Sequence, residues 1–88
     1  MHALVVRSTL NDPDAAVAFA REQVVPRVSA APGLVAGYWV RLAENEGTSI
    51  VVFESEEAAR AMAEQVTPAP DGSVTADSIE VGEVVAQT

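Results

Sequence analysis

The sequence has no cysteine and no lysine, one histidine, and only four aromatic residues: one tryptophan, one tyrosine and two phenylalanines. Each shortage removes a class of function. Without cysteine there is no disulfide framework, no thiolate nucleophile and no sulfur-ligated metal. With His2 as the sole histidine, no metal-ligand spacing arises, and no metal and no cofactor are expected. Five arginines stand against thirteen acidic residues, for a net charge of −8. Nucleic acids need clustered positive charge and are excluded as partners; anionic membrane surfaces are disfavoured for the same reason. Gly33, Gly37, Gly47, Gly72 and Gly82 are scattered singly, so no glycine-rich phosphate loop is present. Ser8, Ser29 and Ser49 have no base beside them in a nucleophile arrangement. No apolar run reaches the length of a membrane span. Met1-His2-Ala3-Leu4-Val5-Val6-Arg7 lacks the basic start and long apolar run of a signal peptide. The cytoplasm is the expected location.

What is present is apolar. Of 88 residues, 49% are hydrophobic, mostly alanine and valine. A single domain over residues 1–88 is expected. A chain this short buries only about two-thirds of its unfolded surface, so extra burial against a partner would help it.

The centre of the pattern is residues 33–55, GLVAGYWVRLAENEGTSIVVFES. Two strand-like runs, 34–42 and 48–54, flank a polar turn at 43–47, which reads as a β-hairpin. A turn centred near Glu46 sets Trp39 opposite Phe53, Val40 opposite Val52 and Leu42 opposite Ile50. Val35, Trp39, Arg41, Val51 and Phe53 then share one face, while Leu34, Tyr38, Val40, Leu42, Ile50 and Val52 share the other. Both faces are largely apolar, so the hairpin expects cover on both sides.

Around it, residues 3–8 read as a first strand. Asn11-Asp12-Pro13-Asp14 starts a helix, with a capping side chain, proline in the first turn and a favourable acid. That helix runs to about Ala30, with Val17, Ala20, Val24 and Val28 on its apolar stripe, and Pro26 predicts a kink or break. Ser55 caps a second helix that buries Ala59, Met62, Ala63 and Val66. After the loop at 67–73, residues 74–86 form a fourth strand, with a bulge suggested at Gly82. The order is β-α-β-β-α-β, an α+β ferredoxin-like domain with a four-stranded antiparallel sheet.

That order, the Ala31-Pro32-Gly33-Leu34 lead-in to the second strand, and Val52-Phe53-Glu54-Ser55-Glu56-Glu57-Ala58 before the second helix resemble the dimeric α/β-barrel superfamily. Within it, the chain is similar to small antibiotic-biosynthesis-monooxygenase-like proteins. The resemblance spans the whole chain, but its motifs are structural. It implies a homodimeric α/β barrel and, if the protein is an enzyme, a cofactor-free monooxygenase. The haem-degrading branch is similar in overall pattern but carries an Asn on the first strand, a Trp before the second helix and a His within that helix. Here the first strand has no Asn, Phe53 stands where that Trp falls, and residues 60–66 contain no His. Haem degradation is therefore disfavoured.

Trp39, Phe53 and Arg41 form the candidate small-molecule pocket. A flat aromatic ligand would lie on the two rings while Arg41 meets a carboxylate or phenolate. The competing reading makes Trp39 and Phe53 a core aromatic pair, with Arg41 running to solvent. His2 is a candidate general base, set against a solvated residue beside a frayed terminus. Tyr38 belongs in or beside a subunit contact, Asn45 in a turn, and Glu54, Glu56 and Glu57 at a helix start. No catalytic residue is assigned. Two functions remain: a dimer binding or oxidising a small aromatic molecule, or a non-catalytic accessory dimer with a packed core. An open space beside Trp39, Phe53 and Arg41 separates them. The homodimer is expected to form through the sheet face left without helices.

Overall fold

The computed structural model describes residues 1–88. Four strands, β1 (His2–Leu10), β2 (Leu34–Ala43), β3 (Glu46–Phe53) and β4 (Val74–Glu83), form one antiparallel sheet in the order β2-β3-β1-β4. Helical segments connect β1 to β2 and β3 to β4, giving the expected ferredoxin-like topology. No helix is long and apolar enough to cross a membrane.

The first helical segment begins at α1 (Pro13–Phe19), where the Asp12 carboxylate accepts from the Ala15 N–H. It continues through a π turn at Ala20–Val24 into α2 (Val25–Ser29). Pro26, where a kink or break is expected, does not interrupt the helical path, and the irregularity is the π turn just before it. Proline has no N–H to donate to the preceding turn, and the widened turn before it absorbs the mismatch, with the Val25 N–H reaching back to the Ala20 carbonyl. Ser55 caps α3 (Glu56–Ala63) by accepting from the Ala58 N–H at 3.1 Å, a contact worth about 1 kcal/mol to such a helix.

The dry core lies under α3. Leu4, Val6, Val51 and Phe53 of the sheet meet Ala59 and Met62 of α3 and Val28 of α2. Phe53 is completely buried and Leu4 nearly so. Gly33 ties the two structural motifs together. Its φ of +78° suits glycine, and a Cβ there would stand 3.3 Å from the Ala58 Cβ at the start of α3. Its carbonyl also accepts from the Glu54 N–H.

Three details of the sheet differ from the sequence reading. The hairpin turns at Glu44–Asn45, two residues earlier than expected, so Trp39 pairs with Ser49 and Leu34 with Phe53. Trp39 and Phe53 are therefore not cross-strand neighbours. A tie from β1 accompanies this register, the Leu10 N–H donating to the Asn45 carbonyl at 2.8 Å. Second, an irregularity between Leu34 and Ala36 exchanges the expected faces: Leu34 packs on the core and Val35 is exposed. Third, the irregularity in β4 lies at Asp77, between the partners of Arg7 and Ser8, while Gly82 pairs regularly with Ala3. The strand ends at Glu83, short of Ala86.

The face away from the helices carries rows such as Tyr38–Ile50–Val5 and Ala36–Val52–Ala3. Tyr38, Val40, Leu42 and Ile50 on it are exposed.

Candidate functional site

Where α3 closes tightly on the sheet, the first helical segment does not. Between it and the strands lies an open cleft of about 900 Å³, toward the upper end of the range for small-molecule sites. The cause is side-chain size. On the sheet, Gly47, Ser8 and Ala76, in one row with Arg41, offer little bulk, and beside it Ser49 separates Trp39 from Val6. The opposing helical wall presents Val17, Ala20 and Val24. Alanine and valine across from serine and glycine cannot fill the distance between two layers. Leu10 lies over Gly47, where a Cβ would meet it at 3.3 Å.

Trp39 is half-buried on the cleft lining and packs against the core. Its ring lies back over Gly37: a Cβ at that position would stand 3.2 Å from two of the indole carbons. Glycine there lets the indole rest against the sheet. No hydrogen bond within the chain engages the indole N–H or the Ser8 and Ser49 hydroxyls. These groups remain available to a bound molecule.

Arg41 also lines the cleft, at its exposed rim. Its Nη2 donates to the Glu44 carbonyl at 3.1 Å, which anchors one edge of the guanidinium to the hairpin turn. Phe53 is not on the lining; it belongs to the dry core beneath α3. The structure thus brings two of the three candidate residues, Trp39 and Arg41, to one cavity and separates the third.

His2 is not on the cleft lining either. The terminus is not frayed: His2 pairs with Phe53 and Glu83, and the Val84 N–H donates to the Met1 carbonyl. The His2 Nε2 stands 3.5 Å from Glu56, while its Nδ1 is buried without a partner. Arg60, through a 2.8 Å Nε–H bond and its charge, holds the Glu56 carboxyl below the usual carboxylate range, with a smaller contribution from His2. In the loop before β4, Asp71 is also lowered by Ser73, whose N–H donates to its Oδ1 at 2.9 Å. Neither carboxylate is positioned to act in the cleft. Nowhere do three or more histidine, aspartate, glutamate or cysteine side chains gather as a metal site.

Sequence reasoning missed Ser49, Ser8, Arg21 and Arg27, all on the lining. Ser49 follows from the true hairpin register. Arg21 lies in the π turn and Arg27 just beyond it, and the only sequence signal of that turn is Pro26 within a helical pattern.

No family model and no curated protein matches the sequence. Comparison of shapes finds the same fold among solved structures. SnoaB, a cofactor-independent oxygenase from Streptomyces nogalater, superposes with a TM-score of 0.72 at 17% identity, covering 99% of this chain and 94% of its own. The chain has the antibiotic-biosynthesis-monooxygenase-like fold. The ActVA-Orf6 monooxygenase of Streptomyces coelicolor, solved with nanaomycin D, aligns over 99% of this chain and 91% of that one, with a TM-score of 0.60 and 16% identity. The haem degrader MhuD from Mycobacterium tuberculosis shares the fold more loosely, with a TM-score of 0.56, 20% identity, and coverage of 97% and 98%. At these identities the likeness establishes architecture. It leaves the chemistry to the residues of the cleft.

Proposed function

We propose that the protein is a homodimer that binds a small aromatic molecule in the cleft beside Trp39 and oxidises it without a cofactor. The observation carrying this reading is the open cavity of about 900 Å³ where a packed accessory module would have side chains. Trp39 supplies a flat apolar surface, and the Ser8 and Ser49 hydroxyls supply polar contacts on an otherwise apolar floor. The cofactor-independent oxygenase SnoaB, which shares the fold, favours the same reaction class.

In such a reaction the substrate itself provides the electrons. The phenol loses two hydrogens, one from its hydroxyl and one from the ring carbon para to it. That carbon gains one oxygen atom from dioxygen as the second quinone carbonyl, and the other oxygen atom leaves with both hydrogens as water. The chain's part is to bind and orient the ring and to exclude bulk water from it. The test is dioxygen uptake with a panel of tricyclic phenols. Uptake that saturates with substrate and falls at least about tenfold in Trp39→Ala supports the reading. Uptake that stays at the protein-free rate across the panel would remove the enzymatic part and leave a binding protein.

The haem-degrading reading is not favoured by the residues. Phe53, standing where the family's tryptophan falls, is sealed in the core, and α3 carries no histidine.

A further inference from the structure

We infer that the ligand of the cleft carries an acidic group, a carboxylate or ionised phenol, held at the rim by Arg21, Arg27 and Arg41. This inference rests on the reading of the cleft as an aromatic-binding site and specifies its substrate class.

The charge distribution carries it. The chain has five arginines and thirteen carboxylates, so an arginine placed at random would find an acid readily. Three of the five nevertheless line the cleft, with only Asp14 and Glu22 among the acids. Three cations stand against two anions there, while two stand against eleven elsewhere. The only ion-pair contacts in the chain belong to Glu56, with Arg60 and His2. Arg21, Arg27 and Arg41 thus make none, although the protein is strongly acidic.

Their placement is two-sided. Arg21 lies in the π turn and Arg27 on α2, so they come from the helical wall, whereas Arg41 comes from β2. All three are exposed, which keeps each guanidinium hydrated until a ligand arrives. Arg41 is already steadied by its bond to the Glu44 carbonyl, which leaves the rest of its donor fork free. A ligand with an apolar ring inside and an anion at the mouth would satisfy both parts of the cavity. Charge-assisted bonds to guanidinium are the stronger kind and suit planar carboxylates. The net charge of −8 repels anions at long range, so any preference for an anionic ligand has to come from these local arginines.

The experiment compares 2-naphthoate with 2-naphthamide, which match in shape and differ in charge, by isothermal titration calorimetry. The wild-type protein should prefer naphthoate by about tenfold at low salt. Added salt should erode naphthoate affinity and spare naphthamide. Substituting Arg21→Gln, Arg27→Gln and Arg41→Gln together should abolish the preference, bringing naphthoate affinity down to that of naphthamide. Equal affinities in the wild type, or a naphthoate preference that survives the triple substitution, would overturn this inference and leave the aromatic-binding reading standing. Binding of neither compound would remove that reading, and the inference with it.

Discussion

Phe53→Ala should lower the unfolding free energy by about 3–5 kcal/mol, measured by urea denaturation followed by circular dichroism at fixed protein concentration. Phe53 has no exposed surface and is central to a cluster with Leu4, Val51, Ala59 and Met62. Its ring cannot be replaced by collapse, because its neighbours are held by the sheet register on one side and by α3 on the other. A chain of 88 residues has a total stability of about 4–13 kcal/mol, so the substitution brings the fold close to failure. Trp39→Ala should cost distinctly less, since one side of that ring faces the cleft rather than packed atoms. A loss at Trp39 as large as that at Phe53 would mean that both rings are core.

Ile50→Glu should convert the proposed dimer to a monomer, raising its dissociation constant by roughly a thousandfold or more. Tyr38, Val40, Leu42 and Ile50 present apolar surface on the sheet face without helices, and Ile50 sits in an interior strand between Tyr38 and Val5. Both helical arms lie on the other face, as right-handed crossovers in this topology require. A second sheet stacked face to face is the natural cover for such a patch. Under two-fold symmetry each substitution enters the interface twice. Each copy loses the roughly 1.5–3 kcal/mol of a buried isoleucine and adds an uncompensated carboxylate. Light scattering across a concentration series reads the outcome. A wild-type protein that is monomeric at micromolar concentration, or a dimer that tolerates the glutamate, would contradict this interface.

Much of the architecture was legible in the residue pattern because local chemistry governs it. Asp12-Pro13 and Ser55 mark helix starts that owe little to the rest of the chain. The consecutive apolar run Leu4-Val5-Val6 marks a strand, although it suggests burial on both faces whereas Leu4 and Val6 are buried and Val5 only partly so. Register was not legible, since the Ala43–Gly47 stretch offers several turn centres, and the one adopted is accompanied by a tie to β1 that lies far off in sequence, from the Leu10 N–H to the Asn45 carbonyl. A shift of the turn by two residues kept Trp39 on the helical side but replaced its partner, Phe53, with Ser49. The candidate site changed accordingly. Trp39 and Arg41 reached the cleft because they alternate on one strand, while Phe53 entered the core. Arg21 and Arg27 escaped notice because their place depends on a π turn, and on small residues across a gap that a pattern of hydrophobicity does not measure.

Ser49→Phe tests whether that gap is open. Ser49 lies on the cleft floor between Trp39 and Val6, so a phenyl ring there projects into the cavity. Thermal denaturation and naphthoate calorimetry on this one variant decide the matter. An open cleft gives an unchanged or higher midpoint together with loss of binding, because the ring fills space that is empty and needed by the ligand. In a packed interior the same substitution would cost about 1–3 kcal/mol through overpacking. A lowered midpoint of that size would show the helix closed on the sheet, and the cleft would not be a binding site.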